Sequence, residues 1–241
     1  MIKNYIPNAI TCLNCLCGTL AIIAAFHGVN DTLWGLSGYQ LAALLIAVAA
    51  VADFLDGFAA RLLHAVSGIG KELDSLSDLV SFGLAPAMMI LNVMRAARPE
   101  SPLCYTAVFL PVLGALRLAN FNVDTRQTSS FIGLPIPANA IFWIGMTDFY
   151  ATHHGMSQWI IVALVALFAW LMVSPLPMFS LKLHSLAVRD NWAQYLLLAG
   201  AIVLIAGLGL PGLAASIALY IALAVINNLA TKPQQPAEPC S

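Results

Sequence analysis

The chain has 241 residues, of which 61% are hydrophobic and only 9% are charged. Soluble globular domains are usually about 45–50% apolar and about 25% charged, so this composition excludes an ordinary soluble enzyme, a disordered chain and a coiled coil. Ten basic and eleven acidic residues leave a net charge of −1, which gives no indication of nucleic-acid binding. The composition predicts an all-α, polytopic membrane protein.

Eight apolar segments follow one another along the chain, each close to the roughly 20 residues that a helix needs to cross a bilayer. Glycine, proline and polar residues separate most of them, as in 98–102 and 152–155. An even number of spans would place both termini on the same side of the membrane. The predicted spans are residues 6–27, 39–62, 71–95, 102–121, 134–151, 157–179, 192–208 and 211–230.

Basic residues indicate how these spans are oriented. Only Arg95 and Arg98 fall on the side away from the N-terminus, whereas eight of the ten fall on the N-terminal side. Because cytoplasmic loops carry the excess of Lys and Arg, we expect both termini in the cytosol and the protein in the cytoplasmic (inner) membrane. The eight are Lys3, Arg61, Lys71, Arg117, Arg126, Lys182, Arg189 and Lys232.

Four of the eleven acidic residues, Asp53, Asp56, Asp74 and Asp78, lie near the cytosolic ends of the second and third spans. Residues three or four apart share a helix face, so packing of these two helices would bring both pairs of carboxylates together. A charged residue at the bilayer centre costs about 2.5–3.5 kcal/mol on insertion scales, so such a cluster requires water or a cation. Oxygen ligands favour Mg²⁺ or Mn²⁺.

Small residues surround these acids. Gly57, Ala60 and Gly70 would let helices approach closely and would leave room for a nucleotide against the backbone. Arg61 is placed to bind a phosphate. The alternative interpretation is a set of interfacial carboxylates that face the adjoining loops, but it explains poorly why two acidic pairs occur with small residues at this spacing.

The stretch 53–78 reads DFLDGFAAR, eight residues, G, three residues, D, three residues, D. It matches D-x2-D-G-x2-A-R-x8-G-x3-D-x3-D at every fixed position. This pattern is the signature of the CDP-alcohol phosphatidyltransferase family, which the chain resembles from about residue 4 to 182. Residues 7–14 resemble the family's first-helix opening, and residues 81–87, 117–122 and 131–137 resemble its serine-using branch, except that Asn120 stands where relatives often carry Arg.

The resemblance implies a six-helix membrane core over residues 1–182. From the residues themselves, the two short segments at 183–231 are predicted to form a C-terminal helical hairpin or one interrupted element, and residues 232–241 a disordered tail. The resemblance implies transfer of the phosphatidyl group from CDP-diacylglycerol to the hydroxyl of L-serine, with phosphatidylserine and CMP as products. Mg²⁺ or Mn²⁺ is the implied cofactor, and a homodimer with its active site facing the cytosol is the implied assembly.

The resemblance also implies residue roles. Asp53, Asp56, Asp74 and Asp78 would hold the metal, and Asp78 would additionally take the proton from the serine hydroxyl. Candidates for the acceptor or a phosphate are Arg117, Asn122, Ser129 and Pro135, although Arg117 could equally be a charge that extends to the interface. The implied CDP-lipid-binding residues are Asn8, Thr11, Asp56, Gly57, Ala60, Arg61 and Gly70.

Other acceptors remain open within the family, with archaetidylserine, phosphatidylglycerol phosphate, phosphatidylcholine or inositol-phosphate lipids as products. A phosphorylated acceptor would favour additional basic residues, and the few Lys and Arg residues favour an unphosphorylated acceptor such as serine. A cation-coupled transporter is the remote alternative. It would need acids near the bilayer midplane and usually inverted repeats, whereas these acids gather at one edge.

Overall fold

The computed structural model describes residues 2–29, 32–33, 35–65, 67–123, 131–153, 156–179 and 191–230. Over these residues each of the eight predicted spans contains a helical segment. A π-helical turn, Leu79–Leu84, joins the third and fourth helices, and a 3₁₀ segment, Pro102–Val108, leads into the fifth. The helices are α1 Ile2–Phe26, α2 Gly38–Leu62, α3 Gly68–Asp78, α4 Ala85–Ala97, α5 Phe109–Val123, α6 Ile136–Thr152, α7 Gln158–Val173, α8 Trp192–Leu208 and α9 Pro211–Ala230.

Among the described residues, five helical stretches are long and apolar enough to cross a membrane. The apolar helices α7 and α8 have 16 and 17 residues, which is about 24–26 Å at 1.5 Å per residue, against a hydrocarbon core of about 30 Å. The five long apolar stretches confirm the prediction of an all-α membrane bundle. The count of eight spans and the location of the termini stay predictions. The five stretches are Tyr5–Phe26, Gly38–Leu62, Gly68–Ala97, Pro102–Val123 and Pro211–Leu229.

Two pairs of very short antiparallel strands connect helix ends. Strand β1, Thr32–Leu33, pairs with β2, Leu36–Ser37, and β3, Phe131–Ile132, pairs with β4, Pro177–Met178. The sequence predicted a helix through residue 179, but α7 ends at Val173. Proline lacks an N–H donor and disfavours a helical residue before it, so the prolines at 175 and 177 end the helix although the apolar character continues.

Helix α1 lies between α2 and the α3–α4 span because small residues allow close approach. A Cβ added at Gly38 would lie 2.5 Å from the carbonyl oxygen of Ala24, and one added at Gly18 would lie 2.7 Å from the Cα of Ser81. The Ser81 hydroxyl donates a hydrogen bond to the Asn14 carbonyl oxygen at 3.0 Å. These contacts fix α1 against the two helices that carry the acids.

Eleven of the 17 residues of helix α6 are buried, and α9 packs on one side of this helix. A Cβ at Gly145 of α6 would lie 2.5 Å from the backbone nitrogen of Ala214 in α9. Tyr39 of α2 donates a hydrogen bond to Asp148 of α6 at 3.1 Å. The C-terminal helix thus packs directly on the core. The predicted boundary at 182–183 and the predicted tail lie outside the described residues.

Candidate active site

The structure brings together acids from two helices. Asp53 and Asp56 project from α2 and Asp74 from α3, and one carboxylate oxygen of each lies within 4.8 Å of the other two. Asp78, one turn further along α3, interacts with both Asp53 and Asp74. The spacing of three and four residues predicted this convergence. The role of these acids as metal ligands stays a prediction.

The acids are half-buried or buried, and one of their oxygens is unsatisfied. The Oδ2 atom of Asp56 is buried and has no hydrogen-bond partner among the described residues. A buried polar atom without a partner carries a desolvation cost, and clustered carboxylates repel one another unless a cation or protons lie among them. The donor set consists only of carboxylate oxygens, which fits a hard divalent cation such as Mg²⁺ or Mn²⁺.

Asp78 has a partner to which the sequence analysis assigned no role. The side-chain amide of Asn14 on α1 donates to its Oδ1 atom at 3.4 Å, and Asn14 is fully buried. The π-helical turn begins directly after Asp78, and such turns are frequent at functional sites. Asn14 therefore orients this carboxylate, which also interacts with Asp53 of α2.

A cavity of about 200 Å³ lies beside the acids. Six of the seven residues predicted to bind the CDP-lipid line it, all except Arg61. A Cβ at Gly70 would lie 3.2 Å from the Oδ1 atom of Asn8, so a larger residue there would force the Asn8 side chain to shift. The lining consists of Pro7, Asn8, Thr11, Asp56, Gly57, Ala60, Ala65, Ser67, Gly70, Lys71 and Asp74.

Arg61 is exposed, and its Nε donates to the carbonyl oxygen of Gly57 at 2.9 Å. Its guanidinium thus bonds to its own helix, and Arg61 is not among the residues that line the cavity. Its predicted role as a phosphate ligand stays a prediction.

Sequence reasoning missed Lys71 and Ser67 as cavity residues. Ser67 caps α3 by accepting a hydrogen bond from the Gly70 backbone at 3.0 Å. Lys71 donates from Nζ to the carbonyl oxygen of Asn122 at 2.8 Å. The signal for Lys71 was available, because it lies three residues before Asp74 and so shares its helix face.

The acceptor candidates lie in different environments. Arg117 is only 8% exposed, its guanidinium carbon lies 5.9 Å from the centre of the Phe121 ring, and it interacts electrostatically with Asp78. The Asn122 amide donates to the Ser75 hydroxyl at 2.9 Å, which ties α5 to α3. Pro135 precedes the first residue of α6. Ser129 lies outside the described residues.

Comparison with known proteins identifies relatives of the chain. The family model described as CDP-alcohol phosphatidyltransferase matches residues 4–173. The CDP-diacylglycerol–serine O-phosphatidyltransferase of Bacillus subtilis is 42% identical over 136 residues, which is 56% of this chain and 70% of that protein. Proteins of the same name from Mycobacterium leprae and Methanocaldococcus jannaschii are 34% and 40% identical, over 75% and 58% of this chain.

The matched regions cover 63% of the Mycobacterium leprae protein and 59% of the Methanocaldococcus jannaschii protein. The family match includes α1 through α7, and with them all four acids and every residue that lines the cavity. The chain therefore belongs to the CDP-alcohol phosphatidyltransferase family of membrane enzymes.

Proposed function

We propose that the protein transfers the phosphatidyl group from CDP-diacylglycerol to the hydroxyl of L-serine and releases CMP. The observation that carries this proposal is the convergence of the four signature acids beside a cavity lined by six of the seven predicted donor residues. The names of the relatives support this donor and serine as the acceptor.

Asp53, Asp56 and Asp74 are the residues that would hold Mg²⁺ or Mn²⁺, with Asp78 beside them. The unpartnered Oδ2 atom of Asp56 supports this assignment. A bound divalent cation supplies positive charge that stabilises the charge developing on the phosphoryl oxygens and on the departing CMP.

Asp78 acts as the general base. A primary alcohol is a weak nucleophile near neutral pH, and a positioned carboxylate that accepts its proton assists the attack. The serine oxygen forms a new bond to the phosphatidyl phosphorus, the bond from that phosphorus to the CMP oxygen breaks, and the proton passes to Asp78. Asn14, which donates to Oδ1, orients this carboxylate for the proton transfer.

The cavity binds the nucleotide end of the donor. Its volume of about 200 Å³ is below the roughly 300–1,000 Å³ of pockets that enclose a drug-sized ligand, so it takes part of the head group while the acyl chains stay in the bilayer. Asn8 and Thr11 offer polar contacts, and the small residues Gly57, Ala60 and Gly70 leave the backbone accessible. Arg61 would contact a phosphate.

Arg117 binds the carboxylate of serine, because a guanidinium matches a carboxylate with two parallel hydrogen bonds. Its burial and its interaction with Asp78 support this assignment. Asn122, Ser129 and Pro135 complete the acceptor side in this proposal. The distribution of basic residues supports an inner-membrane protein whose active site faces the cytosol, and the family resemblance supports a homodimer.

We expect purified protein supplied with CDP-diacylglycerol, Mn²⁺ and labelled serine to form labelled lipid and CMP in equal amounts. Glycerol 3-phosphate and inositol 1-phosphate serve as competing acceptors, and an ether-linked CDP-lipid tests the donor. Release of CMP without incorporation of serine would contradict the serine assignment.

Replacing Gly57 with Ala is expected to raise the KM for CDP-diacylglycerol about tenfold, as a methyl group added to a filled site typically costs 1–3 kcal/mol. The fold tolerates the change, since the nearest atom to the added Cβ is in the Arg61 side chain at 4.0 Å, and Ala favours a helix over Gly by about 0.5–1 kcal/mol. Steady-state kinetics and thermal unfolding measure the two effects.

The matched control is Gly207→Ala in α8, where nothing lies within 4 Å of the added Cβ. It should leave the KM unchanged. A Gly57→Ala enzyme with the wild-type KM would mean that the donor does not approach this part of the backbone.

A further inference from the structure

A second cavity, larger than the one beside the acids, lies between α2 and α6. Its volume is about 580 Å³, within the roughly 300–1,000 Å³ of pockets that hold a small-molecule ligand. Of the described residues that line it, only Gln40 is polar, and the Oε1 atom of Gln40 already accepts a hydrogen bond from the Ser37 backbone at 3.1 Å. This cavity, which we call the α2–α6 groove, therefore suits an apolar ligand.

Small side chains keep the α2–α6 groove open. Ala43, Ala47 and Ala50 of α2 line one wall, and Ala140 lies in the opposite wall on α6. The inner wall includes Phe82 of the π-helical turn, which is only 1% exposed. Larger residues at the alanine positions would fill the space between the two helices.

Helix α9 closes one end of the groove. Tyr39 of α2 donates to Asp148 of α6, so the beginning of α2 lies beside the second half of α6. A Cβ at Gly145 would lie 2.8 Å from the carbonyl oxygen of Leu210, and this close approach holds the beginning of α9 against α6 at the same end. Leu210 and Leu213 accordingly line the groove, although the family match ends at residue 173.

The outer side of the groove is open to lipid. Leu44 of α2 and Ile141 of α6 line it and remain 51% and 38% exposed. Helix α2 is long and apolar enough to cross a membrane, so its exposed apolar side chains face hydrocarbon rather than water. A ligand that lies in the bilayer can therefore enter the groove sideways, without passing through the bundle.

The groove continues the face of α2 that carries the candidate active site. Seven residues make nearly two full turns of an α-helix, so Asp53 lies on the same face as Ile46, and Gly57 lies on the same face as Ala50. Ile46 and Ala50 line the groove, whereas Gly57 lines the cavity beside the acids. A molecule with its head group at Gly57 can thus extend along one face of α2 into the groove.

The dimensions along α2 fit a lipid tail. From Gln40 to Ala50 the groove follows the helix for about 15 Å at 1.5 Å per residue, which is half of the roughly 30 Å hydrocarbon core and so the depth of one leaflet. The further distance from Ala50 to Gly57, about 10 Å along the helix, leaves room for the phosphates and the glycerol.

We propose that the α2–α6 groove binds one acyl chain of the CDP-diacylglycerol donor and that the beginning of α9 forms the end of this chain site. The inference rests on the proposed function for the identity of the donor. It adds a binding site within the bilayer to the head-group cavity beside the acids.

Ordinary membrane lipid is the competing occupant of such a groove. Lipid tails are as apolar as the side chains that line it, so burial alone does not select the donor. The donor differs because its head group is held in the cavity beside the acids, which presents its tail to the groove at a high effective concentration. The test therefore compares the donor with a bulk lipid that carries the same acyl chains.

Ala47→Trp places an indole ring in the middle of the groove. In the full-length enzyme in phosphatidylcholine nanodiscs, this variant is expected to raise the KM for dipalmitoyl CDP-diacylglycerol about tenfold, the size of effect that overpacking of a filled site produces. The KM for serine and the inhibition constant of CDP-glycerol, which has the donor head group without acyl chains, should stay within about twofold of wild type.

The matched control is Ala166→Trp in α7. Ala166 is also an exposed alanine on an apolar helix, but it is not among the residues that line the groove. This control should leave the KM for the donor unchanged. Thermal unfolding checks each variant, and Ala47→Leu replaces Ala47→Trp if the latter does not fold.

Photo-cross-linking locates the tail directly, without turnover. A dipalmitoyl CDP-diacylglycerol with a diazirine at the end of its acyl chain should label Leu213 or its neighbours, as identified by mass spectrometry of the peptides. Unlabelled donor should displace this label, whereas an equal amount of dipalmitoyl phosphatidylglycerol should not. Ala47→Trp should reduce the labelling of α9.

Three results would overturn the inference. The first is a wild-type KM for the donor in Ala47→Trp. The second is an equal rise in the inhibition constant of CDP-glycerol, which would mean that the substitution disturbs the head-group cavity. The third is displacement of the label by phosphatidylglycerol as readily as by donor, which would make the groove a site for bulk lipid.

The outcomes also separate this inference from the proposed function. An enzyme that is labelled in the groove by the donor but incorporates no serine contradicts the proposed acceptor and leaves the acyl-chain site in place. An enzyme that uses the donor and serine but is not labelled in the groove contradicts only the acyl-chain site. An enzyme that neither binds nor consumes CDP-diacylglycerol contradicts both.

Discussion

Asp78→Asn is expected to lower kcat by about 10²–10⁴-fold, the range that a general base contributes, while the affinity for CDP-diacylglycerol changes little. The amide has nearly the same shape as the carboxylate, and its oxygen can still accept the hydrogen bond from Asn14. It cannot accept a proton from the attacking hydroxyl. Turnover is measured with labelled serine, and donor affinity is measured by the shift in thermal unfolding that CDP-diacylglycerol causes.

Asp148 offers the matched control because it is also a buried aspartate, 9% exposed. It accepts a hydrogen bond from Tyr39 on the interface between α2 and α6, and an asparagine oxygen can accept the same bond. Asp148→Asn should therefore keep kcat near the wild-type value. If Asp78→Asn turns over at the wild-type rate, Asp78 is not the base. If the variant loses donor binding together with turnover, Asp78 acts in binding the donor.

Removal of divalent metal should lower the rate by at least about 10³-fold, because a bound cation contributes several kcal/mol to the transition state and each 1.36 kcal/mol is tenfold. The half-buried acids of α2 and α3 give the reason, since their clustered negative charge requires a counter-charge. Activity is measured after dialysis against a chelator and again after Mn²⁺ or Mg²⁺ is returned.

Binding of the metal is measured separately from the reaction. A ligand that binds only the folded protein raises its stability, by about 2.7 kcal/mol at 100 times the dissociation constant, so Mn²⁺ should raise the unfolding temperature of the wild type. Asp56→Asn should reduce that rise and Asp148→Asn should not. An unchanged rate after chelation, with no effect of Mn²⁺ on unfolding, would show that the acids do not form a metal site.

The parts of the fold and site that the sequence predicted are those set by local spacing. Two acids three apart and two acids four apart share helix faces, so each pair could be predicted from its own helix. The predicted convergence of Asp53, Asp56 and Asp74 is present in the structure, but α1 packs against both acid-bearing helices, whereas the sequence predicted that these two helices pack on each other. Long apolar segments likewise predicted the helices, because hydropathy is a property of each segment alone.

The parts that the sequence did not predict depend on contacts between distant segments. The pairing of Phe131–Ile132 with Pro177–Met178 joins strands about 45 residues apart, and no local pattern encodes it. Burial of Arg117 is a second case. From sequence a basic residue near a helix end is equally an interfacial charge or a ligand, and only its packed neighbours distinguish the two.

The π-helical turn after Asp78 lets the two halves of one span face different parts of the protein, the candidate active site and the buried core. Its hydrogen bonds run from residue i to i+5, so it holds an extra residue relative to an α-helix, and each residue of an α-helix turns by about 100°. The side chains after the turn, including the fully buried Ala85 and Met89, are therefore rotated about the helix axis relative to those before it, including Asp74 and Asp78. Because of this rotation, the polar half can face the site while the apolar half faces the core. In one uninterrupted α-helix, Ala85 would lie seven residues after Asp78 and so on nearly the same face.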